Sequence, residues 1–290
     1  MTFTTRFAPS PTGPLHLGHA YSAMLASDKA ASEGGTFLLR IEDIDQSRAR
    51  PKWEDQIYAD LEWLGLSWPT PVLRQSERIQ IYEQALDTLW SKGLLYPCTC
   101  NRKDIAAAAS APQEGAPLHG PDGIIYPGTC RHKASRNSVE RPKDTPLRLD
   151  MAMAAQSVLP HGTGSFLELG TGPNGETGRI SFDKTELETT IGDVVLSRRG
   201  MGTSYHLSVA LDDAAQGVTH VIRGQDLFEA TRIHVLLQAL LGLPTPEYLH
   251  HRLIRDPNGK RLAKRDDARA IAKYRDEGAT PQDIRAMVNL

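Results

Sequence analysis

The 290 residues carry a formal charge of -2 and a sequence pI near 6.6, which excludes a globally basic nucleic-acid binder while leaving room for a local basic face. No apolar run approaches the roughly 20 residues of a membrane span, and Met1 to Arg6 lack the charged head and apolar block of a secretory signal. Only three cysteines occur, Cys98, Cys100 and Cys130, an odd, tight group that argues against a disulfide framework and for a reducing, cytoplasmic compartment.

Thr2 to Ala8 is rich in Thr and Phe and predicts a first strand. Pro9, Pro11, Gly13 and Pro14 break it into a tight loop. Leu17, Tyr21, Met24 and Leu25 then recur at helical spacing, and Gly34-Gly35 ends that run. Phe37 to Ile41 reads as a second strand apolar enough to be buried on both faces. A helix between two such strands predicts a parallel pair with a crossover. Tyr82, Ala85, Leu86 and Leu89 mark a further amphipathic helix.

From residue 96 to about 189 the chain turns rich in Gly, Pro and short hydrophobic runs, the pattern of an inserted, mainly antiparallel subdomain. Beyond it, Asp193 to Leu196 and Val218 to Ile222 read as buried strands. Ile233, Leu236, Leu237, Leu240 and Leu241 form a periodic helix closed by Gly242 and Pro244. The expected fold is α/β, with a Rossmann-like domain in two halves, 1–95 and 190–250. The insertion of 96–189 separates them, and a short helical segment, 251–290, comes last.

The loop Pro9-Ser-Pro-Thr-Gly-Pro-Leu-His16-Leu-Gly18-His19 joins a strand to a helix start. Backbone N–H groups and the positive helix end favour an anion there, and Gly18 admits a flat ligand close to the backbone. His16 and His19, three positions apart, suit either phosphate oxygens or a helix-capping role. Gly170-Thr-Gly172-Pro-Asn-Gly175 fits GxGxxG, but Pro173 and the run Gly175-Glu-Thr-Gly178 do not open a helix. A hairpin loop is therefore expected, not a nucleotide fingerprint.

The block Arg6 to His19 resembles the HIGH region of class I aminoacyl-tRNA synthetases, and more narrowly the glutamyl branch. Gly34-Gly-Thr-Phe-Leu-Leu-Arg40-Ile-Glu42-Asp43-Ile-Asp45, Thr203 to Asp213 and Val218 to Leu227 are similar to the same branch. The resemblance implies that His16 and His19 contact ATP phosphates and stabilise charge at the transferring α-phosphate. It implies that Glu42 pairs with the substrate ammonium, and that Arg6, Ser10, Tyr205 and Arg223 complete a glutamate pocket. Asp45 reads as a capping or surface-paired acid. Two arginines and a tyrosine suit a substrate with two carboxylates, with Arg223 the discriminator against glutamine. Locally, Arg223 also has a plausible ion-pair partner in Asp226.

Asn258-Gly-Lys260-Arg261-Leu262-Ala263-Lys264-Arg265 resembles the KMSKS loop of these enzymes. Such a cationic loop closes over the triphosphate as pyrophosphate leaves. Arg261 replaces the first lysine and Ala263 the serine, so Lys264 is assigned the main ATP contact, with Arg261 beside it.

Three thiolates supply most of a tetrahedral zinc site, and spacing leaves His119 or His132 open as the fourth ligand. The pattern of CxC followed by Tyr126-Pro-Gly-Thr-Cys130 is similar to a short glutamyl-tRNA synthetase-like group in which a tyrosine oxygen ligates. That resemblance implies a structural zinc on Cys98, Cys100, Tyr126 and Cys130. Only 25 residues follow Arg265, fewer than an anticodon-binding region needs. The resemblance is thus to the short group, and it implies activation of L-glutamate with Mg and ATP. Transfer would be to queuosine in the anticodon loop of aspartate tRNA, by a monomeric enzyme without membrane contact. The alternatives are a truncated enzyme charging a tRNA 3′ end and a non-catalytic tRNA-binding paralogue.

Overall fold

The computed structural model describes residues 2–109, 119–132, 140–159, 162–255 and 269–290. The expected strand–helix–strand opening is present: β1 (Thr4–Phe7), α1 (Leu17–Ser32) and β2 (Thr36–Ile41), with β1 and β2 parallel and Arg6 opposite Leu38. After α2 (Pro51–Trp63), the short β3 (Leu73–Arg74) extends this sheet in the order β1-β2-β3. Phe7, Met24, Leu39, Ile41, Ile57 and Leu61 bury the space between sheet and helices. The apolar spacing read in the sequence thus faces a real core.

α3 (Ile79–Ser91) leads into β4 (Leu95–Pro97), α4 (Arg102–Ala109), β5 (His119–Gly120) and β6 (Gly123–Ile124). β7 (Leu147–Leu149) comes next, then α5 (Met151–Val158), β8 (Thr163–Glu168), β9 (Gly178–Asp183), the single turn α6 (Lys184–Glu186) and β10 (Val195–Ser197). β10, β7 and β4 form a small antiparallel sheet in that order. The second half holds α7 (Tyr205–Ala215), β11 (His220–Gly224), α8 (Thr231–Leu241) and β12 (Glu247–His251), with α9 (Ile271–Asp276) and α10 (Pro281–Met287) after them. Gly242 closes α8 in the left-handed conformation, φ 67°.

The second large sheet has the order β11-β12-β8-β9. It abuts the first along β1 and β11, where the Thr219 N–H donates to the Thr4 carbonyl at 2.9 Å. This sheet joins strands from both sides of the expected boundary at residue 189. β8, from the segment 96–189, pairs with β12 through Tyr248 opposite Glu168, and β9 pairs in turn with β8. The segment from GxGxxG is the turn of this β8–β9 hairpin, as its composition implied. α10 returns to the first half, where Arg285 grips Asp28 of α1 with two bonds of 2.7 and 2.8 Å.

Candidate active site

At the carboxyl ends of β1, β2 and β11, where ligands of open α/β sheets bind, lies a cavity of about 330 Å³. Arg6, His16, Gly18, His19, Glu42, Tyr205 and Arg223, all singled out in the sequence, line it. Ser10 does not: it lies further along the same loop, where its carbonyl accepts the Thr12 N–H at 2.8 Å. Arg261 and Lys264 lie outside the described residues. The residues on either side of that segment converge on the cavity: Ile254 lines it, and Ala270 forms a β-bridge with His16.

His16 is the N-cap of α1 and His19 its third residue. His16 Nδ1 accepts the Gly18 N–H at 3.1 Å, and His19 Nδ1 accepts the His16 N–H at 3.2 Å. In the neutral rings this leaves the proton on both Nε2 atoms, as donors for an anion at the helix N-terminus. The rings lie 3.8 Å apart. The capping arrangement therefore also sets both rings at the helix N-terminus, where an anion could sit. Gly18 serves it directly, since a Cβ there would stand 3.0 Å from the His16 ring.

Arg6 meets the anionic partner its burial demands within the chain. Its Nε and Nη2 donate to Asp213 at 2.8 and 3.2 Å, and Arg40 Nη1 donates to the same carboxylate at 2.7 Å. Arg40 Nη2 also donates to Glu42 at 3.2 Å. Burial raises the Asp213 pKa, but Arg6 and Arg40 outweigh it and hold the carboxyl below its ordinary range. Glu42 goes the other way: burial outweighs Arg40 and Arg6, and its pKa is raised. A substrate ammonium beside Glu42 would supply the missing positive charge. Asp45, by contrast, pairs with the exposed Arg48 at the surface.

Arg223 is buried and lines the same cavity. Its Nε donates to His250 at 3.1 Å, Nη1 to His234 at 3.0 Å, and Nη2 to Thr231 at 2.6 Å and the Leu227 carbonyl at 3.2 Å. The local expectation of a pair with Asp226 gives way to these contacts. Among the described residues, none of its partners is a carboxylate. The guanidinium is oriented but its charge is not neutralised.

Away from the cavity, the sulfur atoms of Cys98, Cys100 and Cys130 all lie within 4.8 Å of one another. The Tyr126 hydroxyl is 3.5 Å from Cys98 Sγ and 3.4 Å from Cys100 Sγ. It also accepts the Cys130 N–H at 2.9 Å. Neither His119 nor His132 joins this group. Burial works against the Cys130 thiolate, yet hydrogen bonds from Tyr126, the Thr99 backbone and the other thiols bring its pKa to about 7. Three soft sulfurs and one phenolic oxygen around a common centre fit a tetrahedral zinc ion. Arg148 braces the cluster, with its Nε 3.3 Å from Cys98 Sγ and its guanidinium 3.8 Å above the Tyr126 ring.

The family described as tRNA synthetases class I (E and Q), catalytic domain, matches residues 2–290. The chain belongs to this family. A protein of Rhodobacter capsulatus named glutamyl-Q tRNA(Asp) synthetase is 62% identical over 286 residues, spanning 99% of each chain. One of the same name from Symbiobacterium thermophilum is 40% identical, covering 96% of this chain and 83% of that one. Among solved structures, a glutamate tRNA ligase from Elizabethkingia meningosepticum in complex with its amino acid aligns with TM-score 0.72 and 28% identity. That alignment covers 97% of this chain and 59% of the solved one. The chain is thus a class I ligase of the aminoacyl-tRNA synthetase type. No helix among the described residues is long and apolar enough to cross a membrane.

Several synthetase residues escaped the sequence reading. Asp213 lies in the last turn of α7 beside Asp212, and the two neighbours have different partners: Asp212 accepts from Gln75, Arg78 and Tyr82 at 2.8 to 2.9 Å. His234 lies among the buried residues of α8, and His250 is the next-to-last residue of the strand β12. A polar residue inside a buried apolar run was the available signal in both cases.

Proposed function

We propose that this synthetase condenses L-glutamate with ATP and transfers the glutamyl group to queuosine in the anticodon loop of aspartate tRNA. The observation that carries the amino-acid choice is Arg223, a buried guanidinium held by neutral groups and lining one cavity with Glu42 and Arg6. A neutral glutamine side chain would leave that charge buried and unmatched, which disfavours it by roughly 10⁴-fold in sites of this kind. The RNA acceptor is taken from the names of relatives that the chain matches over nearly its full length.

In the first step an oxygen of the α-carboxylate attacks the α-phosphorus in line, a P–O bond to pyrophosphate breaks, and glutamyl-adenylate forms. His16 and His19 donate to the phosphate oxygens, Glu42 holds the ammonium, and Lys264 and Arg261 neutralise the departing pyrophosphate. Magnesium bound to ATP would share that neutralisation. In the second step a queuosine hydroxyl attacks the adenylate carbonyl, an ester forms, the hydroxyl proton is released and AMP departs. Positioning and charge suffice, and no side-chain nucleophile is required.

Cys98, Cys100, Cys130 and Tyr126 hold a structural zinc in this reading, and the enzyme acts as a monomer in the cytoplasm. Exchange of labelled pyrophosphate into ATP tests the activation step: L-glutamate supports it and L-glutamine does not. Equal exchange with glutamine would defeat the assignment of Arg223.

A further inference from the structure

Arg223, His250 and Glu168 form a row across three neighbouring strands at the carboxyl edge of the sheet. The register sets Arg223 of β11 opposite His250 of β12, and Tyr248 of β12 opposite Glu168 of β8. Glu168 Oε1 accepts the N–H groups of His250 and Gly170, each at 2.8 Å, and Oε2 meets His250 Nδ1 at 2.5 Å. Both side chains of this pair are withdrawn from solvent. Gly170 makes the approach possible, because a Cβ there would stand 2.4 Å from the His250 carbonyl oxygen.

The donor inventory fixes where the protons sit. Arginine nitrogens only donate, so His250 Nε2 must accept from Arg223 Nε. The proton of the neutral imidazole is then on Nδ1, and the facing Glu168 oxygen must accept it. The same logic runs along a second chain. His234 Nδ1 accepts from Arg223 Nη1, so its Nε2 donates to His206 Nδ1 at 3.1 Å. That leaves the His206 proton on Nε2, 3.6 Å from Asp122. Burial keeps both imidazoles neutral: it pushes His250 down to about 4 and, with the charge of Arg223, holds His234 well below its ordinary value.

A carboxylate placed directly on Arg223 would orient the guanidinium but also compete with an incoming one. A neutral imidazole orients it without competing, and a carboxylate one ring further back sets the tautomer. We infer that Glu168 is a positioning residue for glutamate selection: it holds His250 in the Nδ1–H tautomer, so that Arg223 is fixed yet left unneutralised for the substrate. This rests on the reading of Arg223 as the group that meets a substrate carboxylate.

Glu168→Gln isolates the tautomer. The amide oxygen must stay on the two backbone N–H groups, so the amide nitrogen faces His250 Nδ1 and drives the ring proton to Nε2, against Arg223. Pyrophosphate exchange should show KM for glutamate raised about 10- to 100-fold, KM for ATP unchanged and the preference for glutamate over glutamine narrowed. Glu168→Asp, which keeps the acceptor, should recover part of the loss. Imidazole ¹⁵N spectra should show His250 as the Nδ1–H form in the unsubstituted protein, a readout that stands even if Glu168→Gln fails to fold. A folded Glu168→Gln with unchanged KM for glutamate, or an Nε2–H ring in the unsubstituted protein, overturns the inference. Arg223→Lys separates the two levels. If it leaves KM for glutamate unchanged, the pocket reading itself is wrong; if it raises KM while Glu168→Gln does not, only the relay is wrong.

Discussion

Asp213→Asn probes the charge balance at the centre of the cavity. The carboxylate is shared by two guanidinium groups, Arg6 and Arg40, whose side chains are 5% and 0% exposed, and Asp213 itself is 7% exposed. Its Oδ1 takes one bond from each arginine, so the amide oxygen of Asn must occupy that position. The amide nitrogen is then forced against Arg6 Nη2, which now donates to Oδ2 at 3.2 Å. Two buried cations would remain with Glu42 as their nearest carboxylate. Removing one partner of a buried pair costs about 3–5 kcal/mol, and the retained oxygen places Asn near the lower end. For a chain of 290 residues that corresponds to a fall in Tm of roughly 5–8 °C. Thermal unfolding followed by circular dichroism reads it. Glu42 should also be drawn toward the arginines and away from the substrate ammonium, so KM for glutamate rises in pyrophosphate exchange. Asp212→Asn is the control: it faces Gln75, Arg78 and Tyr82 and should cost stability without changing that KM. A Tm for Asp213→Asn within about 1 °C of the parent, less than about 1 kcal/mol on this scale, would refute the shared-carboxylate argument.

His250 has a folded pKa of about 4 against an ordinary 6.5, so the unfolded chain takes up the proton first. Its contribution to stability is therefore complete above pH 6.5, is lost as pH falls toward 4 and changes no further below that, amounting to about 3 kcal/mol. Urea unfolding between pH 7 and pH 4 should show this slope in the parent and a smaller one in His250→Gln; parallel curves would contradict it. Chelation should remove about one zinc ion per chain, lower Tm and expose Cys98, Cys100 and Cys130 to thiol reagents. Cys98→Ser should bind zinc more weakly, and an unchanged Tm and thiol reactivity after chelation would count against the cluster. Gly170→Ala should destabilise by about 2 kcal/mol in denaturant unfolding, because its Cβ collides with the His250 carbonyl. A neutral substitution would show that β8 and β12 can separate at no cost.

The first half of the fold was legible because its signals are local. The Thr- and Phe-rich β1, the spacing of Tyr21 and Met24 on α1 and the apolar β2 succeed one another within 41 residues. The residues brought together at the cavity from the resemblance, Arg6, His16, His19, Glu42, Tyr205 and Arg223, do line one space. The sheet that β8 and β9 join was not legible. β8 and β9 look like any hairpin in sequence, and only the pairing of β8 with β12, some 80 residues later, puts them in one sheet with β11 and β12. The partners of Arg223 were hidden for the same reason. Asp226 is three residues away and locally plausible, whereas His250 reaches Arg223 through parallel strand register and His234 through the packing of α8. Asp213 was hidden by its neighbour, since adjacent acids at a helix end read as surface until the arginines of β1 and β2 are placed beside one of them.

Transfer of labelled glutamate to aspartate tRNA, prepared with and without queuosine, tests the central claim most directly. The account predicts ATP-dependent labelling of the queuosine-containing RNA alone, through an ester that mild alkali releases. Equal labelling of the queuosine-free RNA, or none of either, would contradict it.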